Sequence, residues 1–395
     1  MPTGRSIGGM ADRRTSDRGP ADAPRRPGIP LGRVLGVPVF LHASWLLLAV
    51  LVTIGYGQLV QRTQQLAPQA AYAVGFLFVI CLVVSVLLHE LGHALTARRF
   101  GVGVKGITLE LLGGYTEMDG EAPRPGVELA VSIAGPIVSL VLGLAAVGGA
   151  FALPSGTLVQ ELAVQLAVSN ILVAVFNALP GLPLDGGRAL RAGVWALSRD
   201  KHLGTLVAGW TGRVVAVAFL AVATLLYTAG GVQPFGFLFM LLVAFTLWRG
   251  ASSAIRLAKI SSRFPLVDPS RLVRGVFAVP TGTPLAEAQR RAAEAGRAQE
   301  ALGVADSSGR LVALVKPEAA AAVPADRRPW IAVDSVAQTI AGMSAIPVDL
   351  RGEAVINVVR ANPGSEYLVT SGDDVIGVLR LSDLAQVLEP RTRTR

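Results

Sequence analysis

The chain has 395 residues, of which 52% are hydrophobic and 16% charged, with a formal net charge of +9. Soluble domains carry roughly 45–50% apolar and about 25% charged residues, so an ordinary soluble protein is excluded and lipid-facing segments are expected. The Lys and Arg flank apolar runs without interleaved aromatics, which excludes a single-stranded nucleic-acid surface, and the one cysteine, Cys81, excludes both an intramolecular disulfide and a cysteine zinc cluster.

Residues 1–36 are rich in Arg, Pro, Gly and Asp, without periodicity and with no short apolar stretch ending in a small-residue cleavage site; they read as a disordered basic cytoplasmic tail. Apolar stretches near the roughly 20 residues that span hydrocarbon follow at 37–56, 71–95, 127–153, 158–179 and 208–228, with a shorter one at 235–250. Six spans are expected. Residues 101–119 are too polar and glycine-rich to cross, but Ile107, Leu109 and Leu111 alternate with other residues as a strand does. This predicts a membrane-associated β-hairpin with an edge strand at 107–112, buried in protein or lining a wet cavity, because lipid cannot satisfy its backbone. Gly143, Gly148 and Gly149 are spaced for close helix packing.

Charge sets the orientation. Arg98, Arg99, Lys105, Arg124, Arg188, Arg191, Arg199, Lys201, Arg213, Arg249, Arg256, Lys259 and Arg263, with the arginines of the tail, lie on one side, and Arg62 on the other. By the positive-inside rule both termini are cytoplasmic. From Asp268 the pattern changes to short strands and helices, with a helix at 288–301, strands at 302–305 and 311–315, and a second such unit at 353–359 and 366–388. The expected organisation is a transmembrane domain at 37–252, a linker at 253–267 and an α/β module at 268–390.

The second apolar run ends in His89-Glu90-Leu91-Gly92-His93. Helical positions i and i+4 share a face, so two neutral imidazoles can meet one zinc ion while Glu90 stands beside it as a base for water. Ionisable groups in a membrane segment cost roughly 2.5–3.5 kcal/mol each, and three within five residues call for a compensating divalent ion. A catalytic zinc takes three protein ligands and keeps a position for water. The candidate third ligand is Asp185 in FNALPGLPLDGGR (176–188), where Pro180 and Pro183 break the helix and Gly186 and Gly187 permit close backbone approach. His42 reads either as a polar interface residue or as a group near the site, and His202 as a solvated loop residue.

His-Glu-x-x-His early, Ser132-Ile133-Ala134-Gly135-Pro136 in the next span and Asn177 ahead of Pro-Leu-Asp-Gly-Gly together resemble the site-2 protease family of intramembrane zinc metalloproteases. The subgroup it resembles is polytopic and α-helical, with six spans and a cytoplasmic pair of cystathionine-β-synthase (CBS) motifs. The resemblance implies one zinc ion held by His89, His93 and Asp185, Glu90 as catalytic acid/base, Asn177 assisting at the scissile carbonyl and Gly113-Gly114 beside the substrate strand. It further implies regulated intramembrane proteolysis, for example of membrane-anchored anti-sigma or signalling proteins, in a bacterial cell membrane. Expected partners are transmembrane substrates, the bilayer and, through the CBS pair, a second copy or a regulator; no nucleic acid is expected. In the second repeat Arg380 stands where a Ser or Thr usually precedes the acidic residue, and the first repeat, with Lys316-Pro317-Glu318, has no Asp there; adenine nucleotide is therefore expected to bind weakly or not at all. The rival reading is a catalytically silent membrane adaptor or sensor acting through the CBS pair.

Overall fold

The computed structural model describes residues 28–389 apart from 112 and 373, in two compact units divided between Ala178 and Leu179. Most of the expected disordered tail, residues 1–27, lies outside the described residues, but its end is ordered: Ile29–Val34 form a strand because they pair with Val37–Leu41.

The first unit opens with strands β1 (Ile29–Val34) and β2 (Val37–Leu41), joined by a tight turn in which Leu35 and Gly36 take positive φ. The run read as a span at 37–56 is therefore divided: its start is extended, and helix α1 covers Ser44–Gln64. An unbroken apolar run hides a period of two, but Val37 and Val39 are buried while Pro38 between them and Phe40 after them are less so. Helix α2 (Pro68–Arg99) follows, then strands β3 (Val104–Glu110) and β4 (Gly113–Met118). The sheet order is β1-β2-β3-β4, with β2 and β3 parallel and the other pairs antiparallel. The strand expected at an edge is thus interior, because the N-terminal hairpin covers it, and β4 is an edge. Val37, Val39, Ile107 and Leu109 pack with Trp45, Val79, Leu91 and Ala94. Each such side chain taken from water is worth about 1.5–3 kcal/mol, and the cluster seats the sheet on α2 beside the His-Glu-x-x-His turn.

Helix α3 (Pro125–Ala152) starts on a proline, where the missing N–H is no loss. Helix α4 (Leu158–Asn177) is capped by the Thr157 hydroxyl, which accepts from the Gln160 N–H. A Cβ on Gly143 would sit 2.7 Å from Ile171 Cγ1, so this glycine allows α3 and α4 to approach; Gly148 and Gly149 face open space.

The second unit begins with a loop anchored to helix α6 (Lys201–Thr228) by the Leu182 N–H, which donates to Ala208 O. Between them lies helix α5 (Asp185–Ser198), too short and too polar to register among the apolar spans. Helix α7 (Pro234–Ser261) pairs with α6. Six helices, α1, α2, α3, α4, α6 and α7, are long and apolar enough to cross a membrane among the described residues; the chain is a multi-pass membrane protein.

The expected linker at 253–267 is ordered and mostly helical. α7 runs through it to Ser261, and Phe264 and Val267 are buried with Ile346, Val355, Tyr367 and Leu379. After the short helix α8 (Pro269–Leu272), the first half of the CBS pair is β5 (Val276–Pro280), α9 (Leu285–Glu294), β6 (Ala301–Ala305), β7 (Leu311–Val315), α10 (Pro317–Ala322) and β8 (Ala337–Thr339). The second is β9 (Ala345–Pro347), α11 (Glu353–Ala361), β10 (Glu366–Ser371), β11 (Asp374–Arg380) and α12 (Leu381–Leu388). The helix expected at 288–301 lies earlier and is shorter, because Gly296 at φ +70° ends it. Ala301 and Leu314 of one half pack with Leu368 and Val378 of the other.

Candidate active site

His89, Glu90 and His93 lie on α2 with 5%, 5% and 3% of their surfaces exposed, so each must be satisfied inside the protein. His93 Nδ1 is 2.7 Å from the carbonyl oxygen of Val131 on α3. A carbonyl only accepts, so Nδ1 carries the proton and Nε2 presents a lone pair. His89 Nδ1 meets the Ser139 hydroxyl at 2.8 Å, two turns further along α3. Helix α3 thus orients both rings from behind.

The two Nε2 atoms are 3.3 Å apart, with the rings at 77°. Two nitrogens bound to a tetrahedral zinc at about 2.0–2.1 Å stand about 3.3–3.4 Å from one another, so the pair fits one metal ion. Space for it is kept by Gly135, whose Cβ would fall 2.3 Å from His93 Nε2 and 2.7 Å from His89 Nε2. Gly92 brings the helices together, since a Cβ there would come within 3.1 Å of Ala134 O.

Glu90 faces the sheet. Its Oε2 accepts from the Thr116 hydroxyl of β4 at 2.7 Å, and Gly114 of β4 leaves room for the side chain, since a Cβ there would lie 2.9 Å from Glu90 Cγ. Both ends of the glycine pair are therefore on the strand that touches Glu90. Sequence reading missed Thr116, Ser139 and Val131 O: a hydroxyl two strand positions from Gly114 and two acceptors on an apolar helix carry no motif, although Gly135 lay inside one that had been singled out.

Asn177 ends α4, its amide donating to Val173 O at 3.1 Å. In the second unit Asp185 is the first residue of α5, half-buried, where the helix dipole favours a carboxylate. The loop before it is held by glycine contacts: a Cβ on Gly187 would lie 2.2 Å from the backbone of Gly181 and Leu182. His42 Nδ1 pairs with Ser44 Oγ at 2.8 Å at the start of α1. His202 is partly buried and bonded to Ser261 Oγ at 2.9 Å, not simply solvated, because α7 extends beyond its apolar run to meet it.

The sequence profile of peptidase family M50 matches residues 77–164, the stretch that holds His89, Glu90, His93 and Gly135. "Putative zinc metalloprotease sll0528" of Synechocystis sp. is 30% identical over 91% of this chain and 95% of its own length. The chain belongs to peptidase family M50, the site-2 protease family. "Putative zinc metalloprotease Rip3" of Mycobacterium tuberculosis is 32% identical over 92% of this chain and 93% of its own. The solved site-2 protease from Methanocaldococcus jannaschii is 29% identical, covering 58% of this chain and 95% of that one at a TM-score of 0.42. The Synechocystis and Mycobacterium relatives match this chain over nine tenths of its length, and their names agree with the donor chemistry of the two imidazoles.

Proposed function

We propose that this M50 protein is an active zinc endopeptidase that cuts transmembrane proteins within or beside the bilayer, with one ion held by His89, His93 and Asp185. The observation that carries the reading is the 3.3 Å approach of the two Nε2 atoms over Gly135, both rings oriented from α3. Bound zinc would polarise its water and the peptide carbonyl. Glu90 is the group that would accept a proton from the attacking water and deliver it to the amine nitrogen as the peptide C–N bond breaks. The Thr116 hydroxyl aims the carboxylate by donating to its Oε2. Asn177 exchanges its bond to Val173 O for the developing oxyanion.

A helical substrate hides its carbonyls in i to i+4 bonds and must be unwound before attack. No strand pairs with the outer edge of β4 among the described residues, and β4 is the strand that touches Glu90. An unwound segment added there by β-augmentation would bring its backbone to the base. The charge asymmetry of the loops supports cytoplasmic termini, and the family resemblance supports a bacterial cell membrane.

The cleft between the CBS halves, about 720 Å³ and lined by Lys316, Glu318, Gln338, Tyr367 and Arg380, is large enough for a small molecule. Of its lining groups Arg380 and Glu366 are engaged with one another, Arg380 Nε standing 3.1 Å from the Glu366 carboxylate, and Asp383, next to the lining residue Ser382, takes two bonds from Arg274 at 2.7 and 2.8 Å. Adenine nucleotide accordingly binds weakly, and the module acts by contact with the substrate's cytoplasmic segment, a regulator or a second copy. The test of function is cleavage of a panel of single-span proteins in bilayers by wild type and by Glu90→Gln. Cleavage of at least one by wild type alone is expected; equal cleavage by both, or by neither, contradicts the reading.

A further inference from the structure

Arg213 is in an unusual position for a charge. It follows the start of α6 by twelve residues, from Lys201, and precedes the end at Thr228 by fifteen. At about 1.5 Å per residue it lies about 22 Å from the Thr228 end of the span. Its hydrogen-bond partner Ser252 is eighteen residues, or about 27 Å, from the matching end of α7 at Pro234. With a hydrocarbon core about 30 Å thick, both are near the edge on the side where Arg199, Lys201, Arg256, Lys259 and Arg263 cluster. In the sequence Arg213 belongs with the charges of the cytoplasmic side although it falls within the apolar stretch 208–228.

Its surroundings do not neutralise it. Nε and Nη2 both donate to Ser252 Oγ, at 3.2 and 3.0 Å. The guanidinium carbon lies 4.7 Å from the ring centre of Trp210 and 4.9 Å from that of Trp248. Among the described residues no carboxylate pairs with it. Two indole faces and a hydroxyl hold the fork in place and shield it, but they carry no counter-charge, while the five donors of a guanidinium are only partly used. Both indoles are exposed, Trp210 by 54% and Trp248 by 43%, as tryptophans are at the headgroup level. An unpaired intramembrane cation at that depth marks a site.

We propose that α6 and α7 bind the headgroup phosphate of an anionic phospholipid on Arg213, with Trp210 and Trp248 packing the lipid on either side. The remaining guanidinium N–H groups supply the forked donor pair that phosphate oxygens accept, and the aromatic walls exclude water. Lipid is favoured over free phosphate because the guanidinium lies between two exposed tryptophans of membrane-spanning helices, the side chains that face the headgroup level.

The test uses full-length protein purified from bilayers into neutral detergent, with retained lipid counted by native mass spectrometry, and then melted in nanodiscs of phosphatidylcholine alone, of phosphatidylcholine with phosphatidylglycerol, and of phosphatidylcholine with inorganic phosphate. Wild type is expected to retain phosphatidylglycerol and to melt higher in its presence, and inorganic phosphate to give no such rise. Arg213→Gln should lower retained phosphatidylglycerol about fivefold, the effect of one basic group at a membrane surface. Arg256→Gln removes the same charge one turn further along α7 and should retain lipid as wild type does. The proposal fails if wild type holds neutral and anionic lipid equally, if inorganic phosphate alone reproduces the rise, or if Arg256→Gln loses as much lipid as Arg213→Gln. The wild-type comparison stands even if Arg213→Gln does not fold.

Discussion

His89 and His93 bring their Nε2 atoms to 3.3 Å, the edge length of a tetrahedral zinc site, over a glycine that no other residue can replace. Gly135→Ala would place a methyl carbon 2.3 Å from His93 Nε2. Zinc occupancy is expected to fall by about tenfold or more and cleavage with it, since displacement of a ligand ring costs as much as loss of its supporting partner. Zinc per purified chain, read by mass spectrometry of the metal, checks this; full occupancy in the variant would show that the ion does not sit over Gly135.

Thr116 and Ser139 separate base from metal. Thr116→Val deletes the hydroxyl that orients Glu90 while keeping its shape, and a hydrogen bond to a charged group is worth about 1.5–3 kcal/mol. A fall in kcat of about tenfold or more at unchanged zinc content is expected, with Thr116→Ser restoring most of it. Ser139→Ala removes the partner of His89 Nδ1 and should weaken zinc about 10–100-fold. Competition against a chelator distinguishes the two: a Thr116→Val protein that loses zinc as readily as Ser139→Ala would contradict the division of roles.

The CBS halves are tied by Arg274 before β5 and Asp383 on α12. The hydrogen bond from Arg274, with its charge, holds the Asp383 carboxyl below the usual carboxylate range. A lowered folded-state pKa adds stability above the unfolded value, about 3.9, which disappears as pH falls through the folded value. Asp383→Asn should therefore lower the melting temperature of the C-terminal module at about pH 7, and the gap from wild type should narrow at about pH 3. A gap that stays constant between these two pH values would show that the pair contributes nothing through charge.

Truncation after Arg263 leaves every proposed active-site residue in place while removing the buried Phe264 and Val267 together with the module they belong to. Zinc binding should persist and the rate or selectivity of cleavage should change. ATP should alter neither full-length nor truncated enzyme. Identical rates for the two proteins on one substrate, with and without ATP, would remove the module from the control of cleavage.

What could be read from sequence follows physical lines. The six spans and the His-Glu-x-x-His face were legible because length, apolarity and a period of 3.6 are local properties. The N-terminal hairpin was hidden because Val37 and Val39 belong to a run whose apolar neighbours mask alternation. The interior place of β3 depends on its pairing with β2, more than sixty residues earlier, and no local pattern encodes that. Amphipathic α5 was obscured by the prolines and glycines around Asp185, which fit a loop equally well. Thr116 and Ser139 become recognisable only when another element lies against them.

The most direct test of the central claim is zinc content and cleavage of one transmembrane substrate, measured on the same preparations of wild type, Glu90→Gln, His89→Ala, His93→Ala and Asp185→Ala. Glu90→Gln should hold one zinc per chain and cut nothing, while each of the three alanine variants should lose both metal and activity. Cleavage by Glu90→Gln, or full zinc with full activity in Asp185→Ala, would contradict the assignment.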